Sequence, residues 1–170
     1  MVTMLAIFIF IFLLTFVYAG IRGAPWVPTK KKDIERFLKL AKIIPNQKIY
    51  DLGCGDGRLI YAAAKVGAEA QGFEISLFPY LLANIYRIFQ KNKSKIKISY
   101  KDFWYANLNN ADIVYFFLMP KIYPKLKQKL EKELKHGAKV ITYVWPIKEW
   151  TPIKVDVVKG YPNLYLYQRY

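Results

Sequence analysis

Asp51, Gly53, Gly55, Gly57 and Glu74 are the residues of this chain whose types and spacing admit a ligand chemistry. The stretch Tyr50-Asp51-Leu52-Gly53-Cys54-Gly55-Asp56-Gly57-Arg58 sets an acidic residue at the end of an apolar run, then glycines at alternate positions, then a helical pattern. Such a turn exposes bare backbone that can lie against a nucleotide-like molecule. A dinucleotide loop has the spacing G-x-G-x-x-G and faces a pyrophosphate. Here Arg58 stands where the last of those glycines belongs, and Asp51 and Asp56 flank the loop. Two carboxylates repel a pyrophosphate and suit a molecule that is cationic at its reactive end.

S-adenosylmethionine, with its sulfonium and ammonium groups, meets that description. Glu74 ends the next apolar run, Glu69 to Glu74, 17 residues after Gly57. A helix from Arg58 to Lys65 and a short turn fill the gap. Glu74 then falls at the tip of the adjacent parallel strand, where a carboxylate accepts from two ribose hydroxyls. The competing reading is an ordinary glycine-rich turn with a surface glutamate, against which the strand-turn-helix context argues.

The elements that position these residues follow from periodicity. Strands are expected at Lys48–Leu52, Glu69–Glu74, Ile96–Tyr100, Ile113–Leu118, Ala138–Tyr143, Ile153–Val158 and Leu164–Tyr167. Helices are expected at Arg58–Lys65, Phe78–Asn92 and Ile122–Lys135, with an earlier one opened by Thr29 and running to about Ile44. Five strands joined by helical crossovers and two close together at the end predict an open α/β sheet with a terminal antiparallel hairpin. Ligands of such sheets bind beyond the carboxyl ends of the strands, where the glycine loop, Glu74 and Lys101-Asp102-Phe103-Trp104 converge. Asp102 there is placed to accept from an adenine amino group and Phe103 to pack on the ring. Asp102 as a cap or turn residue is the alternative.

At 170 residues, 54% of them hydrophobic, the chain is one domain with material for a core, which excludes disorder. Met1 to Ile21 carries no charge, and as a helix it spans about 30 Å, so it reads as a membrane anchor. A cleaved signal peptide is disfavoured by the lack of Lys or Arg ahead of the run, and a buried core helix by its apolarity on every face. The organisation expected is anchor at 1–21, connector at 22–30 and globular domain at 31–170. All 27 Lys and Arg lie at or after Arg22, placing the body on the cytoplasmic side. The net charge of +15 suits nucleic acid or an anionic leaflet, and an anchored protein makes the leaflet the simpler partner. One cysteine, Cys54, permits no internal disulfide and fits a reducing compartment. One Cys and one His make no zinc site.

The set Val27-Pro28-Thr29, Asp51 to Arg58, Phe73-Glu74-Ile75-Ser76-Leu77-Phe78-Pro79, Lys101-Asp102-Phe103-Trp104 and Phe117-Leu118-Met119-Pro120 resembles the seven-strand, Rossmann-like S-adenosylmethionine-dependent methyltransferases. More narrowly it resembles the small membrane-anchored lysine methyltransferases that in animals modify the ATP synthase c subunit and the adenine nucleotide translocase. The resemblance implies that Asp51, Gly53, Cys54, Gly55 and Gly57 cradle the methionine end of the cofactor, that Glu74 holds the ribose, and that Asp102 and Phe103 meet the adenine. Cys54 stands where those proteins carry a small hydroxyl residue. No Arg-rich transit segment precedes the apolar run, which points to a prokaryotic plasma membrane rather than a mitochondrion.

Methyl transfer to lysine needs a neutral amine, and desolvation between aromatic walls removes its proton. Trp104, Phe117 and Pro120 are the acceptor-pocket candidates, although such aromatics also build cores. The acceptor expected is a lysine of a membrane protein. A nucleic-acid methyltransferase is the second reading, disfavoured because Phe117-Leu118-Met119-Pro120 lacks the Asn/Asp-Pro-Pro-Tyr/Phe of base-amino modifiers. A lipid or small-amine methyltransferase and a non-catalytic membrane adaptor are the others.

Overall fold

The computed structural model describes residues 3, 4, 6, 10, 14, 17, 18, 20–23 and 26–170. Seven strands form one sheet: β1 (Lys48–Leu52), β2 (Glu69–Glu74), β3 (Ile96–Tyr100), β4 (Ile113–Phe116), β5 (Lys139–Tyr143), β6 (Lys154–Asp156) and β7 (Leu164–Gln168). Their order is β3-β2-β1-β4-β5-β7-β6. The first five are parallel, while β7 pairs antiparallel with both β5 and β6. The expected terminal hairpin is present, and its second strand rather than its first lies against β5.

Four helices flank the sheet: α1 (Lys31–Ala41), α2 (Arg58–Lys65), α3 (Leu77–Ile88) and α4 (Tyr123–Glu133). Phe37 and Leu40 of α1, Ile60 and Ala63 of α2 and Ala83 of α3 share one buried cluster, whereas Leu126 and Leu130 of α4 belong to the other. The expected ends of three helices contract. Lys42 takes a left-handed conformation at φ 47° and stops α1 before Ile44, and α3 stops at Ile88, well before Asn92. Pro120–Ile122 forms a 3-10 turn ahead of α4. Between β3 and β4 the expected helical crossover is replaced by the 3-10 turn Phe103–Tyr105, followed by Asn107-Leu108-Asn109-Asn110, whose asparagines favour turns over helix.

Register brings the predicted site residues to one edge. Leu52 of β1 lies opposite Phe73 of β2 and Phe116 of β4, and Glu74 lies opposite Tyr100 of β3. The residues that follow, 53–57, 75–76, 101–105 and 117–120, therefore leave the sheet on the same side. The chain runs to opposite sides of β1 through β2 and β4, which makes the crevice between them the switch point of the sheet.

Among the described residues no helix is long and apolar enough to cross a membrane. Most of Met1 to Ile21, on which the anchor rests, lies outside the described residues.

A buried ion network ties α1 to the terminal hairpin. The Arg36 guanidinium donates to Asp33 at 2.8 Å, to the Asp156 carboxylate at 2.6 Å and to the carbonyls of Pro162 and Asp156. The Tyr143 hydroxyl donates to the other Asp33 oxygen at 2.8 Å. Arg36→Ala leaves Asp33 charged and buried, so it is expected to cost about 3–5 kcal/mol in urea unfolding.

Candidate functional site

The loop after β1 is built on strained backbone that glycine relieves. Gly53, Gly55 and Gly57 have φ of 87°, 56° and 79°. The amides of Gly53 and Cys54 both donate to the Phe73 carbonyl at 2.9 and 3.0 Å, which clamps the loop to the end of β2. Gly57 donates to the Cys54 carbonyl and caps α2. A side chain at Gly55 meets Trp26 at 2.8 Å.

Glu74 holds the loop from the other strand. One carboxylate oxygen accepts the Gly55 amide at 2.8 Å, and the other accepts the amides of Ile75 and Ser76 at 2.9 and 2.7 Å. Burial raises the Glu74 carboxyl above its ordinary range, and the three amides oppose that rise. One lone pair, on the oxygen that accepts the Gly55 amide, remains for a further donor.

Asp51 is the group whose chemistry is unfinished. It is 3% exposed, and its Oδ1 has no hydrogen-bond partner among the described residues. Burial, then the nearby charges of Glu74 and Asp56, hold its carboxyl well above the ordinary range. Asp56, read from the sequence as its equal, is neutralised by Arg58, whose Nε donates to it at 2.9 Å. The carboxyl groups left facing the loop with no cationic partner among the described residues are those of Asp51 and Glu74.

The cleft is lined by these residues together with Trp26, Thr29, Tyr115 and Phe117, and encloses about 30 Å³. Sites that hold small organic molecules measure roughly 300–1,000 Å³. The connector Trp26-Val27-Pro28-Thr29 fills the difference: Trp26 lies over Gly55 and against the edge of Phe78, and the Thr29 carbonyl accepts from Arg58 at 3.0 Å. Seating a nucleoside displaces this segment. Trp26, Thr29 and Tyr115 were not singled out as site residues in the sequence, and the only signal for Trp26 was an aromatic between two prolines.

Cys54 lines the cleft, but its sulfur points back onto β2, and burial pushes the thiol up. A methyl group on Gly72 falls 2.5 Å from Cys54 Sγ and 2.7 Å from its Cβ. Gly72→Ala is therefore expected to lower stability by about 1–3 kcal/mol in chemical denaturation, the range of an overpacked core.

The remaining expected residues divide. Phe117 lines the cleft and meets Tyr143 edge-on at 4.8 Å and Trp145 in a stack at 6.0 Å. Pro120 and the same Trp145 line a neighbouring groove of about 760 Å³. Trp104 lies apart from both, packed on Phe103, with Lys125 Nζ 4.8 Å from its ring centroid. Phe103 does not face the cleft. It is 5% exposed within the core cluster of Leu52 and Phe73, because the turn after β3 folds it under the sheet. Asp102 acts as the cap of that turn, accepting from the Trp104 amide at 3.0 Å, and its other oxygen accepts from Arg22 Nε at 2.9 Å. An adenine amino group has to share the Asp102 carboxylate with these partners.

Residues 51–154 match the family described as the ANTKMT methyltransferase domain. A protein-lysine N-methyltransferase of Saccharolobus islandicus (strain REY15A) is 37% identical over 155 residues, covering 84% of this chain and 92% of that protein. The lysine N-methyltransferase of the ATP synthase c subunit from Rattus norvegicus is 34% identical over 75% of this chain, which spans 59% of the rat protein. Among solved structures, an RNA methyltransferase of Salinibacter ruber in complex with S-adenosyl-L-homocysteine superposes with a TM-score of 0.80 at 27% identity, over 84% of this chain and 93% of that one.

Proposed function

This chain belongs to the ANTKMT methyltransferase domain family, and on that premise we propose that it is an S-adenosylmethionine-dependent protein-lysine N-methyltransferase acting on a membrane protein at the cytoplasmic face of a prokaryotic plasma membrane. The observation that carries the cofactor is Asp51: a buried carboxylate with an unpartnered oxygen, beside Glu74, in a cleft floored by glycine. Such a site favours a cation and disfavours a phosphate. S-adenosylmethionine supplies a methyl carbon already activated by its sulfonium. The chain's residues bind and orient: the loop from Gly53 to Gly57 and Asp51 at the methionine end, Glu74 at the ribose, and Asp102 within reach of the adenine.

Transfer to an amine is an in-line displacement, so positioning and a neutral acceptor are the protein's main contributions. Phe117, Tyr143 and Trp145 form an aromatic wall from the cleft toward the groove at Pro120. Lining a lysine's path with these rings strips water from its ammonium and lowers its proton affinity. The names of the archaeal and mammalian relatives support lysine as the acceptor, and the apolar run from Met1 to Ile21 supports a membrane address.

The net charge of +15 and the Salinibacter ruber neighbour favour RNA as the second reading. One experiment separates the two. The full chain is incubated with methyl-labelled cofactor and total membranes of its host, and the product is treated with protease or ribonuclease. Label that resists ribonuclease, is lost to protease and hydrolyses to methyllysine is expected. Label in RNA or in extractable lipid sinks the lysine reading.

A further inference from the structure

Helix α3 turns its apolar side outward. Leu77, Leu81, Ile85 and Ile88 are 37%, 48%, 51% and 61% exposed, and Phe89 at the helix end is 78% exposed. Steps of four, four and three residues hold the first four within about 80° of arc, a single stripe roughly three turns long. Only Pro79 and Ala83, on the other side, are buried against the sheet. A contiguous outward stripe of this kind marks a contact surface.

Its surroundings are cationic. Lys91 and Lys93 follow the helix directly and are exposed, and Lys101 is exposed just beyond the neighbouring edge strand. On the other flank a groove of about 420 Å³ runs from Tyr86 of α3 and Phe89 just past its end to Lys31 of α1 and Arg58 of α2. The exposed run Lys30, Lys31 and Lys32 begins there. Aliphatic side chains in the middle with lysines on the rim match the profile of an anionic bilayer interface, where apolar groups sink to the acyl boundary and lysines meet phosphates. The stripe also starts beside the connector, through the Trp26 to Phe78 ring contact, so it lies next to the segment that descends from the apolar amino-terminal run.

We propose that the outward face of α3 is a bilayer-binding surface that lies in the interface of an anionic membrane, distinct from the amino-terminal run and independent of the reaction catalysed. This lateral contact with the lipid fixes the orientation of the domain over the membrane.

The test uses the full chain reconstituted into phosphatidylcholine vesicles with about one-third phosphatidylglycerol. Because the one native thiol, Cys54, is buried, Ile85→Cys and, as a control on the opposite layer, Lys132→Cys take an environment-sensitive nitrobenzoxadiazole label selectively. Quenching of the position-85 dye by shallow spin-labelled lipid is expected to exceed that of the control by about tenfold, to fall with Leu81→Glu, and to weaken in pure phosphatidylcholine or high salt. Glutamate at these exposed helical sites preserves the fold, checked by retained S-adenosylhomocysteine binding.

Equal quenching at the two positions overturns the proposal. So does quenching indifferent to lipid charge. A dye already shielded in detergent assigns the face elsewhere: to a second copy of the chain if shielding grows with protein concentration, to the chain's own apolar run if it does not. Shielding that needs native membranes and fails in protein-free vesicles assigns it to a protein partner, and equally overturns the bilayer reading.

Discussion

Glu74→Ala is expected to weaken S-adenosylhomocysteine binding by at least about 100-fold and to destabilise the fold by about 3 kcal/mol, because one carboxylate serves both tasks. Its two oxygens accept three backbone amides, and those of Gly55 and Ser76 are buried. With alanine these donors have no acceptor, and each buried one costs roughly 1–3 kcal/mol. The glycine loop then keeps its clamp on the Phe73 carbonyl through Gly53 and Cys54 but loses its tie to β2 at Gly55, and a cradle loosened there binds poorly even where its own residues are intact. Glu74→Gln is expected to fall between, since its amide group faces donors on one side. Urea unfolding and titration calorimetry on the two variants measure the two effects. Native affinity in Glu74→Ala would falsify the assignment of this cleft to the nucleoside.

Asp51→Asn is expected to separate what Glu74→Ala couples. Methyl transfer drops by about 100-fold or more as the anionic partner of the sulfonium end disappears, while the protein alone is expected to gain about 1 kcal/mol at neutral pH. The reason is electrostatic. Burial and the neighbouring Glu74 and Asp56 raise the folded-state carboxyl of Asp51 well above its value in an unfolded chain.

The folded state therefore holds the extra proton more tightly. The contribution of this group to stability is intact at pH values below the ordinary carboxylate range and is lost as pH rises through the raised folded value. Urea midpoints measured from about pH 4 to pH 8 should fall for the native chain and fall less steeply for Asp51→Asn, in which the raised Glu74 carboxyl remains. Binding of a cation reverses the local field, so cofactor affinity should rise over the same interval with release of a proton. A stability profile unchanged by the substitution removes Asp51 from this role.

Much of the positioning was legible because it is local. β1, β2, β3 and α2 fall where the apolar runs and punctuating turns place them, residue for residue. Each is a short segment whose buried positions, the site acids Asp51 and Glu74 apart, are apolar, set off from its neighbours by glycine, asparagine or charged residues. The loop chemistry was legible for the same reason: alternate glycines after an acidic strand end hold the backbone bare where a ligand can approach it.

What escaped depends on residues distant in the chain. The partner of Asp102 is Arg22, 80 positions away, and no spacing rule connects them. Phe103 was expected on the adenine ring and Trp104 in the acceptor pocket, and only the 3-10 turn decides that one is buried in the core while the other takes Lys125 on its face. Asp56 looked as available as Asp51 until Arg58, two residues on, folded back onto it. The insertion of β7 between β5 and β6 is likewise a matter of long-range pairing, invisible to periodicity.

The packing of Cys54 on Gly72 carries a consequence for heredity. Because the close approach at position 72 includes the β-carbon of residue 54 as well as its sulfur, exchange of that cysteine for serine or alanine frees no room in β2. Descendants of this chain can drift among small residues at 54 while 72 stays glycine. A lineage that acquires a side chain at 72 must first have shed the one at 54 or shifted the strand, so the order of the two changes is constrained by a contact of a few ångströms.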